Sequence, residues 1–201
     1  MSVMMDIIFS SFLGGVITMI ILNANFVIKD TWARFNNDYI VQQMLISNAQ
    51  IVECEFRNMG CGLDVTQKSI NVATDTCIEF MMATRPEPTV PVSRIRYYTG
   101  STIELASTEN PRDRFLYRQE NGVTPQRVGL VSMFSLRYFN FVGDSLTTPI
   151  TDVDELGSIR IIELTMEVQS PFASTINPDG SKNFEVALWK QTRLASQNLN
   201  R

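Results

Sequence analysis

Residues 7–28, IIFSSFLGGVITMIILNANFVI, form a run of 22 positions without a charge, between Asp6 and Lys29. As a helix at 1.5 Å per residue this run spans roughly 33 Å, close to the ~30 Å hydrocarbon core of a bilayer. It is not uniformly apolar. Ser10, Ser11, Gly14, Gly15, Thr18, Asn23 and Asn25 interrupt it, a small and polar content that suits close helix packing better than a plain lipid-facing anchor. A cleavable signal is disfavoured, because the run is long, has no basic segment before it and shows no small-x-small cleavage site. Lys29 and Arg34 follow the span and nothing basic precedes it, so the charge count alone would keep the later residues on the cytoplasmic side.

The helical pattern continues outward from this run. Ile28, Trp32, Phe35 and Tyr39 recur at 3–4 spacing, followed by Val41, Leu45, Asn48, Val52 and Phe56. No proline occurs before Pro86, and Gly60 and Gly62 supply a stop. The spacing predicts one helix from about Met4 to about Asn58, a rod on the order of 80 Å. A helix of that length is not expected to stand alone in water, so residues 29–58 should be covered by the rest of the chain.

Beyond residue 64 the period changes from 3.6 to 2. Between Arg160 and Gln169, Ile162, Leu164, Met166 and Val168 fall on one face and Glu163, Thr165, Glu167 and Gln169 on the other, as in an antiparallel strand with one wet side. Similar alternation at Ile78-Phe80-Met82, Phe115-Leu116-Tyr117, Phe134-Leu136-Tyr138 and Phe184-Val186-Leu188 implies five or more strands. Turns are expected at Glu120-Asn121-Gly122, Thr84–Pro91, residues 142–157 and Asn177-Pro178-Asp179-Gly180. The layout is α+β: a long N-terminal helix over residues 1–60, then a β-rich head over 61–201 whose antiparallel sheet packs on the C-terminal half of the helix.

The 201 residues are 44% hydrophobic and 19% charged, which fits a folded domain with an appendage. A net charge of −4 argues against a nucleic-acid partner. There is no histidine, which removes imidazole bases, Ser-His or Cys-His nucleophiles and His-ligated metals. Neither a phosphate loop nor a GxGxxG fingerprint occurs, and Glu163 and Glu167 would stand roughly 13 Å apart along a strand, too far for a glycosidase pair. The expectation is a non-enzyme without a cofactor. Asp152, Asp154 and Glu155 lack the spacing of a calcium loop and read as a solvated acidic segment. Phe139, Phe141 and Trp189 read as outward-facing, a contact surface or residues covered by loops.

With the long helix in front, three stretches carry a family resemblance: Leu116–Gly122 (LYRQENG), Val128–Phe141 (VGLVSMFSLRYFNF) and Gly157–Pro171 (GSIRIIELTMEVQSP). In this order the chain resembles the type IV pilin and pseudopilin superfamily over essentially its whole length, most closely the larger minor pilins and minor pseudopilins. The glycine, phenylalanine and fifth-position glutamate of that family's processing signature are missing. The resemblance implies a structural subunit of an extracellular filament, inserted in the inner membrane before assembly, handled by pilus assembly machinery and packed afterwards against copies of itself. A minor subunit of a pilus or secretion system, or a membrane-anchored monomeric adhesion domain, are the alternatives.

Under the resemblance Asp6, near the family's glutamate, neutralises the amino terminus of a neighbouring subunit; the alternative is a carboxylate favoured by the helix dipole. Gly14 and Gly15 either loosen the helix or admit close packing, and Asn23 and Asn25 join them as candidate assembly positions. An envelope location would permit one disulfide among Cys54, Cys61 and Cys77. Cys61–Cys77 is preferred, with Cys54–Cys61 and three free thiols left open.

Overall fold

The computed structural model describes residues 2–64, 67–83 and 91–194; the turn expected at Thr84–Pro91 lies, apart from Pro91, outside the described residues. The architecture is α+β. Helix α1 runs unbroken over Ser2–Arg57. Its end is enforced by two glycines in the left-handed region, Gly60 (φ 75°) and Gly62 (φ 74°), a conformation that costs other residues the clash of Cβ with the following carbonyl. The chain is then pinned to the first sheet. Gly60 N–H donates to the Met81 carbonyl at 2.8 Å and Ala83 N–H to the Cys61 carbonyl at 2.8 Å. A Cβ on Gly62 would lie 2.5 Å from that of Ala83, so glycine is required there twice over.

Five strands follow as an antiparallel meander in sequence order: β1 (Ile70–Ala73), β2 (Cys77–Ala83), β3 (Val92–Thr99), β4 (Arg114–Glu120) and β5 (Gln126–Val131). A second sheet holds β6 (Met133–Phe139), β7 (Ser145–Leu146), β8 (Ile161–Gln169) and, after the small hairpin of β9 (Thr175–Ile176) and β10 (Lys182–Asn183), β11 (Val186–Leu194). Its order is β11-β8-β6-β7. Short helix α2 (Val153–Ser158) lies between β7 and β8.

One core joins the elements. Val41, Leu45, Val52 and Phe56 of α1 meet Ile78, Phe80, Ile95, Tyr97 and Leu116 of the first sheet and Phe134, Leu136, Leu164, Met166 and Val168 of the second. Phe56 makes edge contacts with Phe80 (5.4 Å) and Tyr97 (5.7 Å). Burying each such aromatic or aliphatic side chain contributes about 1.5–3 kcal/mol.

Several expectations are corrected. The stretch Val128–Phe141 is two strands in two sheets, divided at buried Ser132, whose N–H (2.8 Å) and hydroxyl (2.9 Å) both donate to Glu167. Residues 142–157 are not all loop: they contain β7 and the start of α2, and Asp152 caps α2 by accepting from Asp154 N–H at 2.8 Å. The face of β11 is opposite to that expected. Ala187 and Trp189 pack on the core while Val186 and Leu188 are exposed, because the register pairs Trp189 with buried Met166 and Leu188 with Glu167. Phe139 is half-buried and Phe141 exposed. The wet face of β8 is a charge ladder: Glu163 meets Lys190 (3.2 Å) and Arg137 (3.6 Å), and Glu167 meets Arg112 (3.5 Å). Cys54 is exposed and Cys61 and Cys77 are half-buried, and the Cys77 sulfur accepts from Arg96 Nε at 3.4 Å.

Candidate functional site: the bare half of the long helix

The core stripe of α1 begins at Val41, and almost every side chain described before it is exposed. Trp32, Phe35 and Tyr39, expected under the head, are 73%, 71% and 63% exposed. The head covers α1 only from Val41 onward, so Arg34 and Asp38, which share the phase of the core stripe, are exposed as well; angle separates the two stripes further. At 3.6 residues per turn, Val41, Leu45, Asn48, Val52 and Phe56 centre on one side of the helix, whereas Ile28, Trp32, Phe35, Tyr39 and Ile46 centre about 120° away from it. What reads in one dimension as a single stripe is two stripes, and the aromatic one points away from the head.

The bare segment, residues 3–40, is about 57 Å long. It contains a helix long and apolar enough to cross a membrane. Its polar groups are turned back onto the helix. Ser10 donates to the Asp6 carbonyl (2.7 Å), Ser11 to Ile7 (2.6 Å), Thr18 to Gly14 (2.8 Å), Asn25 to Ile21 (3.0 Å) and Thr31 to Val27 (2.8 Å). Each of these hydroxyls, and one amide donor of Asn25, is thereby satisfied without a second chain, which is how such residues are tolerated in an apolar medium.

Asp6, Gly14, Gly15, Asn23 and Asn25 all lie on this bare segment. A Cβ on Gly14 or Gly15 would meet nothing within 4 Å, so the space beside both is open to another molecule. By the same angular reckoning Gly14 and Asn25 lie within about 60° of the aromatic stripe, while Gly15 and Asn23 point elsewhere. The five do not form one face. Among the described residues neither Asp6 nor Lys29 enters an ion pair, whereas Arg34 pairs with Asp30 at 3.2 Å.

What aims this segment is a polar lock between α1 and the first sheet. Arg118 Nε donates to both oxygens of Glu55 (2.8 and 3.0 Å), and Tyr97 Oη donates to Glu55 Oε2 at 2.6 Å. Burial, helped by the neighbouring Glu55 carboxylate, raises the Tyr97 hydroxyl well above its ordinary pKa, so it remains a donor at every physiological pH. One turn pair earlier, Asn48 Nδ2 donates to the Leu130 carbonyl at 2.9 Å. A Cβ on Gly129 would stand 2.1 Å from Asn48 Oδ1, so only glycine lets β5 approach the helix there. Asn48 was legible as part of the stripe; Glu55, Tyr97, Arg118 and Gly129 carry no local signal of their pairing.

No protein-family model matches the sequence, and no curated protein matches it. Among solved structures the chain is similar to a type IV-like pilin from Thermus thermophilus, at 13% sequence identity, covering 80% of this chain and 97% of that one with a TM-score of 0.46.

Proposed function

We propose that this chain is a structural subunit of an extracellular filament in which the bare halves of α1 pack together at the centre and the β-rich heads form the outer surface. The observation that carries the proposal is the aromatic stripe. A bilayer hydrocarbon core of ~30 Å plus its headgroup layers accounts for residues 7–28 and Trp32. It leaves Phe35, Tyr39 and Ile46 beyond, on the side away from the head, where water is the least favourable neighbour. Another helix of the same kind covers them without a new surface having to be supplied. Before assembly the span rests in the inner membrane; afterwards the same side chains exchange lipid for helix, a transfer between two apolar media. Gly14 and Asn25 lie on the side that such a seam would use, and an assembly machinery would extract the span.

The test is negative-stain electron microscopy of material sheared from cells, with mass spectrometry of the bands. Thin filaments dominated by this chain are the expected result. Recovery of the chain in the membrane fraction alone overturns the major-subunit reading and favours a minor subunit or an anchored adhesion domain.

A further inference from the structure

The outer face of the first sheet, remote from α1, carries a polar groove that the filament reading does not use. Glu79 of β2, Arg94 and Arg96 of β3, Gln119 of β4 and Gly122 of the β4–β5 turn line a volume of about 250 Å³. Register accounts for the grouping. Glu79 faces Arg96 across β2–β3, and Arg96 faces Gln119 across β3–β4. Arg94 and Arg96, two residues apart on one strand, present their side chains on the same face roughly 7 Å apart.

The donors and acceptors of this groove are only partly used. Arg94 approaches Glu79 with its Nε at 3.8 Å, longer than a hydrogen bond. Arg96 donates its Nε to Cys77 Sγ at 3.4 Å and lies over the Tyr98 ring at 5.5 Å. Among the described residues no hydrogen bond or ion pair engages its two terminal nitrogens. Gln119 Nε2 donates to the Val123 carbonyl at 2.9 Å, which fixes the amide and leaves its oxygen free to accept. Beside the groove the Tyr98 ring under Arg96 stacks on Tyr117 at 5.4 Å, and the Tyr117 hydroxyl donates to Glu104.

We propose that this groove binds a saccharide bearing one carboxylate, of the sialic or uronic acid kind, with the arginine pair on the carboxylate and Gln119 and Glu79 accepting from hydroxyls. Charge decides between ligand classes. Two arginines against one glutamate match a single negative charge, whereas a run of acidic residues would meet Glu79 as a like charge. Size points the same way. The volume falls below the ~300 Å³ at which drug-sized pockets begin, and the lining offers no apolar recess for a peptide side chain. Planar paired N–H groups suit a carboxylate, and the carboxylate acceptors suit sugar hydroxyls. The proposal stands whether or not the chain polymerises; in a filament, repetition of the site would add avidity to a weak single contact.

The experiment is saturation-transfer NMR titration of the full chain in detergent micelles with 6′-sialyllactose, against lactose and tetraglutamate. The expected result is sialyllactose binding with a Kd on the order of 1 mM, no transfer to lactose, and loss of at least about tenfold in affinity for both Arg94→Gln and Arg96→Gln. Both side chains are solvent-facing, and an unchanged thermal melt confirms that each variant is folded. Equal transfer to lactose, no transfer to sialyllactose, tighter binding of tetraglutamate, or full affinity in both folded variants each overturns the proposal.

Discussion

Phe35 and Phe56 are the same residue in the same helix, 71% and 1% exposed. Both sit on an apolar stripe with the same spacing, and neither differs from the other in helix propensity. The difference is where each stripe lies. Phe56 points to the side where two sheets converge, whereas Phe35 stands about 32 Å back along the axis, before the covered part of the helix, on a stripe whose centre is about 120° from the buried one. One helix therefore carries two apolar stripes, one covered by its own head and one left bare, and local hydrophobicity does not distinguish them.

The largest effect that would break this contrast is Phe56→Ala. Removing a fully buried ring at the junction of Phe80 and Tyr97 is expected to cost about 3–5 kcal/mol of head stability, measured by urea denaturation of the detergent-solubilised chain. Next comes Gly129→Ala. Its methyl collides with Asn48 Oδ1, and separating β5 from α1 is expected to cost about 1–3 kcal/mol in the same assay. Tyr97→Phe removes one of the two donors held by Glu55 while Arg118 keeps the carboxylate paired. A loss of about 1 kcal/mol is expected, and an unchanged midpoint would show that the tyrosine is not part of the lock.

A pH-dependent change sharpens the account of the head alone. Asp113 is buried, its Oδ2 atom has no hydrogen-bond partner, and desolvation raises its carboxyl pKa, only partly offset by a hydrogen bond from Thr108. A raised folded-state pKa means that the native protein holds the proton longer than the unfolded chain. Stability is then lost as pH rises from the ordinary carboxylate range through the raised value. Asp113→Asn should melt higher than the wild type at pH 7, with the difference vanishing below about pH 4; a pH series of thermal melts checks it. The smallest expected effect is Phe35→Ala. Head stability should move by no more than about 0.5 kcal/mol, because that ring is 71% exposed, while filament yield in sheared fractions should fall. Equal yields would sink the role given to the aromatic stripe.

Much of the fold was legible before any coordinates. The helix from about Met4 to about Asn58 corresponds to Ser2–Arg57, because a long periodic run without proline, stopped by two glycines, admits no other local structure. The inward faces of β2, β6 and β8 followed from alternation, since Leu136 and Leu164 each have polar neighbours on both sides and Phe80 has Glu79 on one. Strand β11 failed the same rule. In Phe184–Lys190 the apolar residues occupy both faces, and only its pairing with β8 chooses Trp189 over Leu188. The break at Ser132 was equally silent: VGLVSMFSLRYFNF reads as one strand until Glu167 of another strand captures both polar groups of that serine. Of the candidate site, the bare span was visible as 22 uncharged residues, but its true extent to residue 40 was not, because the stripe that continues it has the spacing of a buried one.

By itself the sequence determined what depends on near neighbours along the chain: the length and stop of α1, its apolar first half, the strand period of the head and the absence of histidine chemistry. Only the tertiary structure decided which side of α1 the head covers, where the chain crosses from one sheet to the other, and that Glu55, Tyr97 and Arg118 meet. Periodicity is written into a few consecutive side chains, whereas phase, register and pairing are set by segments far apart in the chain, as Asn48 and Leu130 are at 82 residues, whose contact exists only once the whole core has closed.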